Sequence, residues 1–199
     1  MTIRKGEAWG IAVDRPADAE RIDSDAELAR RVASGHRGPF ALTGGEIVRT
    51  LGGVTSGATI QQVPIDALRI ELDDRPLVAV AHVVARRPGP LGWWRGPIVA
   101  VMNVGAIGRA DVAPRAHPND GRADVVDVEA AMSVRARLQA RRRLGTGTHV
   151  PHPSIRTSQS HEATFDFDRP MRVRVDGVEI GRARRLRVTV EPDACVVFA

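Results

Sequence analysis

This sequence is poor in the residues from which several kinds of site are built. Cys195 is its single cysteine, so an internal disulfide and a cysteine-based zinc site are both excluded. There is no tyrosine, and aromatics make up 4% of the chain. That leaves too little stacking surface for a base-reading module, and a core that must be built from Val, Ala, Leu and Ile. No apolar run reaches the ~18 residues of a membrane span, and the opening MTIRKGEAWG carries no signal-like apolar segment. The expectation is a soluble, cytoplasmic protein without a nucleic-acid partner. Lysine is almost missing as well: Lys5 stands alone, so the basic surface is arginine.

What is present suffices for a core. The 199 residues are 43% hydrophobic, enough for one large domain or one domain plus a fragment. The formal charge is +5 and the pI about 10.9. Such an arginine excess suits phosphates and anionic lipid headgroups, and it is also the ordinary basic residue of a GC-rich genome.

Along the chain, Ser24-Asp25-Ala26-Glu27 forms a capping box, and Leu28 and Val32 continue it as a helix that stops near Gly35. A short strand over Pro39–Leu42 runs into Thr43-Gly44-Gly45-Glu46 and a second short helix. Strand, glycine pair and helix start make the geometry that cradles phosphate; the same residues also read as a helix start with a T-x-x-E cap. From Thr55 the pattern turns to β. Strands are predicted at Ala58–Val63, Leu68–Leu72 and Leu77–Ala85, with a turn at Asp73-Asp74. One helix is predicted over Ala130–Leu144, with Met132, Ala136 and Ala140 on one side and arginines elsewhere. His149 and His152 lie in a proline-rich stretch and read as a loop. A β-meander fills the rest, with a hairpin turn at Asp176-Gly177.

The organising stretch is 93–128. A Trp pair and Gly-Pro lead into an apolar strand, Ile98–Met102, which ends on Asn103. Glycines 105 and 108 and the loop Pro118-Asn119-Asp120-Gly121 follow, then a second strand at Ala123–Val128. Strand, Asn, glycines, P-x-D-G and strand in this order resemble the C-terminal domain of the diacylglycerol kinase-like lipid kinases, over about 54–198. The resemblance implies an α+β fold: a small α/β remnant of a nucleotide domain at 1–53, then a β-rich, sandwich-like domain at 54–199.

It also implies sites. Gly44, Gly45 and Glu46, with Asn103, fall where the family binds its nucleotide. Ile47 and Val48 replace the Gly and Thr of the family's GGDGT loop, which places ATP binding in doubt. A structural Mg²⁺ would be held by Asp120 with the main-chain carbonyls of His117 and Arg122, although Asn-Asp-Gly is equally a turn without an ion. Asp176 and Glu179 are the candidate catalytic residues. The family's base follows the D-G pair directly, whereas here Val178 takes that place and Glu179 comes one later, on the other face of a strand unless a bulge restores it.

The resemblance therefore implies a lipid kinase-related protein that has lost catalysis and keeps a lipid or phosphate pocket. An active ATP-dependent diacylglycerol kinase and a non-catalytic partner of a full-length kinase are the alternatives. The expected partners are an anionic or diacylglycerol-like lipid, met peripherally at the inner membrane face, and a second copy of the chain.

Overall fold

The computed structural model describes residues 9–14, 16–53 and 59–198; Ala58, where a strand was predicted to start, lies outside them. The N-terminal part holds β1 (Ile11–Asp14), β2 (Glu20–Ile22), α1 (Asp25–Ala33), β3 (Phe40–Leu42) and α2 (Glu46–Thr50). β4 (Thr59–Leu72), β5 (Arg75–Ala79) and β6 (His82–Arg86) follow, then a 3₁₀ turn at Pro90–Trp93 and β7 (Ile98–Met102). A small hairpin of β8 (Ala106–Ile107) and β9 (Ala110–Asp111) precedes β10 (Ala123–Val128) and α3 (Val134–Arg143). The chain closes with β11 (Ile155–Ser160), β12 (Glu162–Val175) and β13 (Val178–Phe198).

The main sheet runs β1-β4-β13-β12-β6-β7-β10-β11, with β5 also beside β4. Only Val80 and Ala81 separate β5 from β6, yet β5 pairs with β4 and β6 pairs with β12, two strands beyond β4. A flat sheet cannot join those places with two residues, so the sheet curls and two layers face each other. Alternate residues point into the space between them: Leu68 and Ile70, Val83 and Ala85, Val99 and Val101, Val173 and Val175, Leu186 and Val188 form one buried cluster. The α+β, sandwich-like architecture implied by the resemblance is the observed one.

Two further clusters lie outside the sandwich. At one end, Leu28, Val32, Ile47 and Val48 of the two short helices pack with Ile65, Val80 and Val197, so the N-terminal elements share a core with β4 and β13. β3 also joins the sheet in parallel beside the end of β13, Phe40 against Val197. On the other side, Val84, Ala100, Met102, Val126 and Ile155 turn outward and are covered by α3 and the loops around it. This double coverage explains why every residue of β6 is buried.

The predicted helix start holds: the Ser24 hydroxyl accepts from the Glu27 amide at 3.3 Å, while the Glu27 carboxylate accepts from Asp23 rather than Ser24. Three strand expectations are corrected. The two strands at 58–63 and 68–72 are one, β4, and the single strand at 77–85 is two, β5 and β6, broken at Val80-Ala81. β11 was not predicted, because IRTSQS is an edge strand with only Ile155 buried.

Candidate functional site

The break at Val80–His82 is where two of the sequence-predicted residues meet. The Asp176 carboxylate accepts from the amides of Val80, Ala81 and His82, each at 2.9 Å. Asn103 takes the carbonyls: its side chain donates to Val80 at 2.7 Å and to Asp66 at 2.9 Å, and its amide donates to Ala81 at 2.9 Å. Asp176 and Asn103 thus brace one bend from opposite sides. Burial, aided by Asp25 nearby, pushes the Asp176 carboxyl up to about 7 despite three amide donors that favour its charged form. Burial, with Arg174, pushes the neighbouring His82 down to about 4.

Asp176 sits at a positive φ of 45° in a two-residue turn with Gly177. Glu179 is not drawn into this cluster. It is exposed, pairs across to Arg174 and meets the Arg172 guanidinium at 3.2 Å. The bulge between β12 and β13 falls at Ile180, beyond Glu179.

Gly44, Gly45 and Glu46 lie against α1. The Asp25 carboxylate accepts from the amides of Glu46 at 2.6 Å and Ile47 at 3.3 Å, at the start of α2. It occupies the spot where a phosphate would sit. A Cβ on Gly45 would fall 2.3 Å from the Asp25 carboxylate, and one on Gly44 would fall 2.3 Å from the Asp23 carbonyl. The glycines are there to let α1 approach. Thr43 does not cap α2; its hydroxyl donates to the Ile22 carbonyl, so the cap is the long-range Asp25. Glu46 reaches away to accept from the Gly108 amide at 2.8 Å. These residues do not fit a triphosphate.

The Pro118–Gly121 loop is organised by a residue that sequence reasoning missed. Asp66, fully buried in the middle of β4, accepts from Gly121 (2.8 Å), Asp193 (2.9 Å) and the Asn119 side chain (3.3 Å), and its own amide donates to Pro118. Burial raises its pKa. The signal was available: one acid inside the apolar run 63–68 needs internal partners. Asp120 accepts from the Arg122 amide at 3.0 Å, a local turn bond. His117 accepts from Asn119 and packs edge-on against Trp9, with ring centroids 4.6 Å apart. No group of three His, Cys, Asp or Glu side chains among the described residues is placed to hold a metal. The Asp120–Arg122 bond is the local contact of an Asn-Asp-Gly turn.

A site with room for a ligand lies under α3. A cavity of about 370 Å³ is walled by the outward faces of β6, β7 and β10, through Val84, Ile98 and Val126, and by Trp94, Met132 and Ala140 opposite them. Its chemistry is almost wholly apolar apart from two arginines and His149. Arg137 is buried, and its guanidinium donates to the carbonyls of Trp93, Gly96, Glu129 and Met132. Carbonyl dipoles rather than a carboxylate meet its charge, so the wall stays positive. Arg141 is exposed at the rim, its guanidinium over the Trp94 ring at 5.4 Å. Burial pushes the His149 pKa down, and its Nε2 lies 3.1 Å from the Val112 carbonyl. The Trp pair and the arginine helix were visible in the sequence, but not that they enclose a space.

Residues 67–199 match the family model described as "YegS C-terminal NAD kinase beta sandwich-like domain", two-thirds of the chain. The chain belongs to this family. Solved structures with the same architecture include a candidate diacylglycerol kinase from Bacillus anthracis str. Sterne, at TM-score 0.66 and 10% identity, covering 89% of this chain and 77% of that one. A diacylglycerol kinase structure from the same organism matches at TM-score 0.60 and 12% identity, covering 89% and 75%. At that identity the likeness is one of fold, and it relates this sandwich to the diacylglycerol kinase-like lipid kinases at that level. No curated protein matches the chain.

Proposed function

We propose that this protein is a lipid-binding relative of the diacylglycerol kinases that holds an alkyl chain in its sandwich domain and does not transfer phosphoryl groups. The cavity under α3 carries the reading. At roughly 30 Å³ per water-sized group, 370 Å³ takes on the order of a dozen methylenes, one acyl chain rather than two. Apolar walls reward burial of such a chain at about 0.8 kcal/mol per methylene. Arg137 and Arg141 at the wall and rim favour a polar or anionic head there, a carboxylate, a phosphate or the hydroxyl end of a diacylglycerol.

The loss of catalysis rests on the other end of the molecule. Phosphoryl transfer depends on cradling the phosphates and positioning a base. Here Asp25 holds the amides of the glycine loop, and Glu179 is paired with Arg172.

The test is displacement of a fluorescent fatty acid from delipidated protein by long-chain fatty acid and by diacylglycerol. Saturable binding is expected, and Ala140→Phe, which fills the cavity from α3, should abolish it without lowering Tm. With radiolabelled ATP, Mg²⁺ and diacylglycerol micelles, no transfer is expected. Binding unchanged in the filled variant would overturn the pocket, and robust transfer would overturn the loss of catalysis.

A further inference from the structure

Six large hydrophobic side chains stand exposed among the described residues, and four of them lie on two adjacent segments. Leu91 and Trp93 belong to the 3₁₀ turn, 56% and 44% exposed; Val134 and Leu138 belong to α3, 45% and 40% exposed. Arg137 ties the two segments together through the carbonyls of Trp93 and Gly96. At 3.6 residues per turn, Val134 and Leu138 share one stripe of α3, flanked by Arg135, Arg141 and Arg142. Ala136, Arg137 and Ala140 take the opposite face, towards the cavity. The helix has five arginines in ten residues and no acid. None of the arginines on its outer face takes part in an ion pair among the described residues. Trp93 is fixed in place by the Arg86 guanidinium stacked on its ring at 4.8 Å.

We infer that this face is a docking surface for an anionic lipid bilayer. Leu91, Trp93, Val134 and Leu138 would enter the headgroup–acyl boundary while the arginines lie among the anionic headgroups. An aliphatic stripe bordered by arginine, with a tryptophan at its edge, has the chemistry of an interfacial helix. A nucleic acid would meet the arginines but would leave four apolar side chains against its phosphates, so the bilayer is the better occupant. Trp93 and Arg141 border both this face and the cavity, so a docked protein would present the cavity mouth to the membrane. The docking surface rests on exposure and charge, and not on what fills the cavity.

Co-sedimentation with vesicles of phosphatidylcholine alone and of equal parts phosphatidylcholine and phosphatidylglycerol tests it. Binding is expected only to the anionic vesicles and should weaken with added salt. Arg135→Gln with Arg142→Gln should weaken it by about fivefold for each arginine. Leu91→Gln with Leu138→Gln should weaken it as well and reduce quenching of tryptophan emission by acyl-brominated lipid. Arg30→Gln with Arg31→Gln, on α1, should leave binding unchanged. The cavity-filled Ala140→Phe should still dock, which separates this surface from the pocket. Equal binding to both vesicles, wild-type binding by the arginine pair, or binding to an RNA homopolymer in place of vesicles would overturn the proposal.

Discussion

Val80, Ala81 and His82 point three successive amides at one carboxylate, and that single contact decides where a long apolar run becomes two strands. In the unfolded chain Asp176 titrates near 3.8, and in the folded protein near 7. Between those values the folded state holds the extra proton, so the contribution of Asp176 to stability is greatest below about pH 4 and is lost as the pH rises to about 7. His82 works the other way. Its folded value near 4 lies under its unfolded 6.5, so it adds stability as the pH rises across that range. In urea melts, the stability difference between wild type and Asp176→Asn should therefore shrink from about pH 4 to about pH 7 and then level off; a difference that grows would contradict it. Asp66 is the second such residue. Asp66→Ala strands the buried Gly121 donor and takes the acceptor from the Asp193 amide, and a loss of about 1–3 kcal/mol is expected by denaturant titration. Asp176 and Asn103 were both singled out from the sequence. Their roles were not legible, because a buried polar group declares itself only through partners far along the chain.

At the scale of elements, local signals carried well. Ser24 caps α1, Ile98–Met102 is a strand, Asp73-Asp74 and Asp176-Gly177 are turns, and Met132, Ala136 and Ala140 face inward. What failed was any boundary set from a distance. The start of α2 is made by Asp25, 21 residues upstream in a different helix, and a motif read over four residues cannot see it. The glycine loop was thus recognised and its purpose reversed, since it admits a carboxylate of the chain itself. Gly45→Ala puts a Cβ into that carboxylate at a φ of 101°, and about 2 kcal/mol of destabilisation is expected from strain alone. A thermal melt equal to wild type would show that α1 can yield.

Across the whole molecule, the order of the strands was the least legible feature. β4 and β13 pair from Leu72 beside Leu186 to Phe198 beside Gln62, and no periodicity in either strand names the other. β13 also supplies Leu186 and Val188 to the sandwich interior and Cys195 and Val197 to the cluster under α1 and α2. The two regions should unfold together, in one calorimetric transition whose van't Hoff and calorimetric enthalpies agree.

Cys195 turns that shared strand into a clock. It is the only thiol in the chain, it lies 1% exposed in β13, and burial pushes it up to about 12. Only a thiolate reacts at a useful rate, so alkylation in native buffer must wait for the strand to leave its place. Because both cores must open to release it, the labelling rate should rise with denaturant along the same slope as global unfolding. A shallower slope would mean that the end of β13 peels away by itself, with the sandwich still closed.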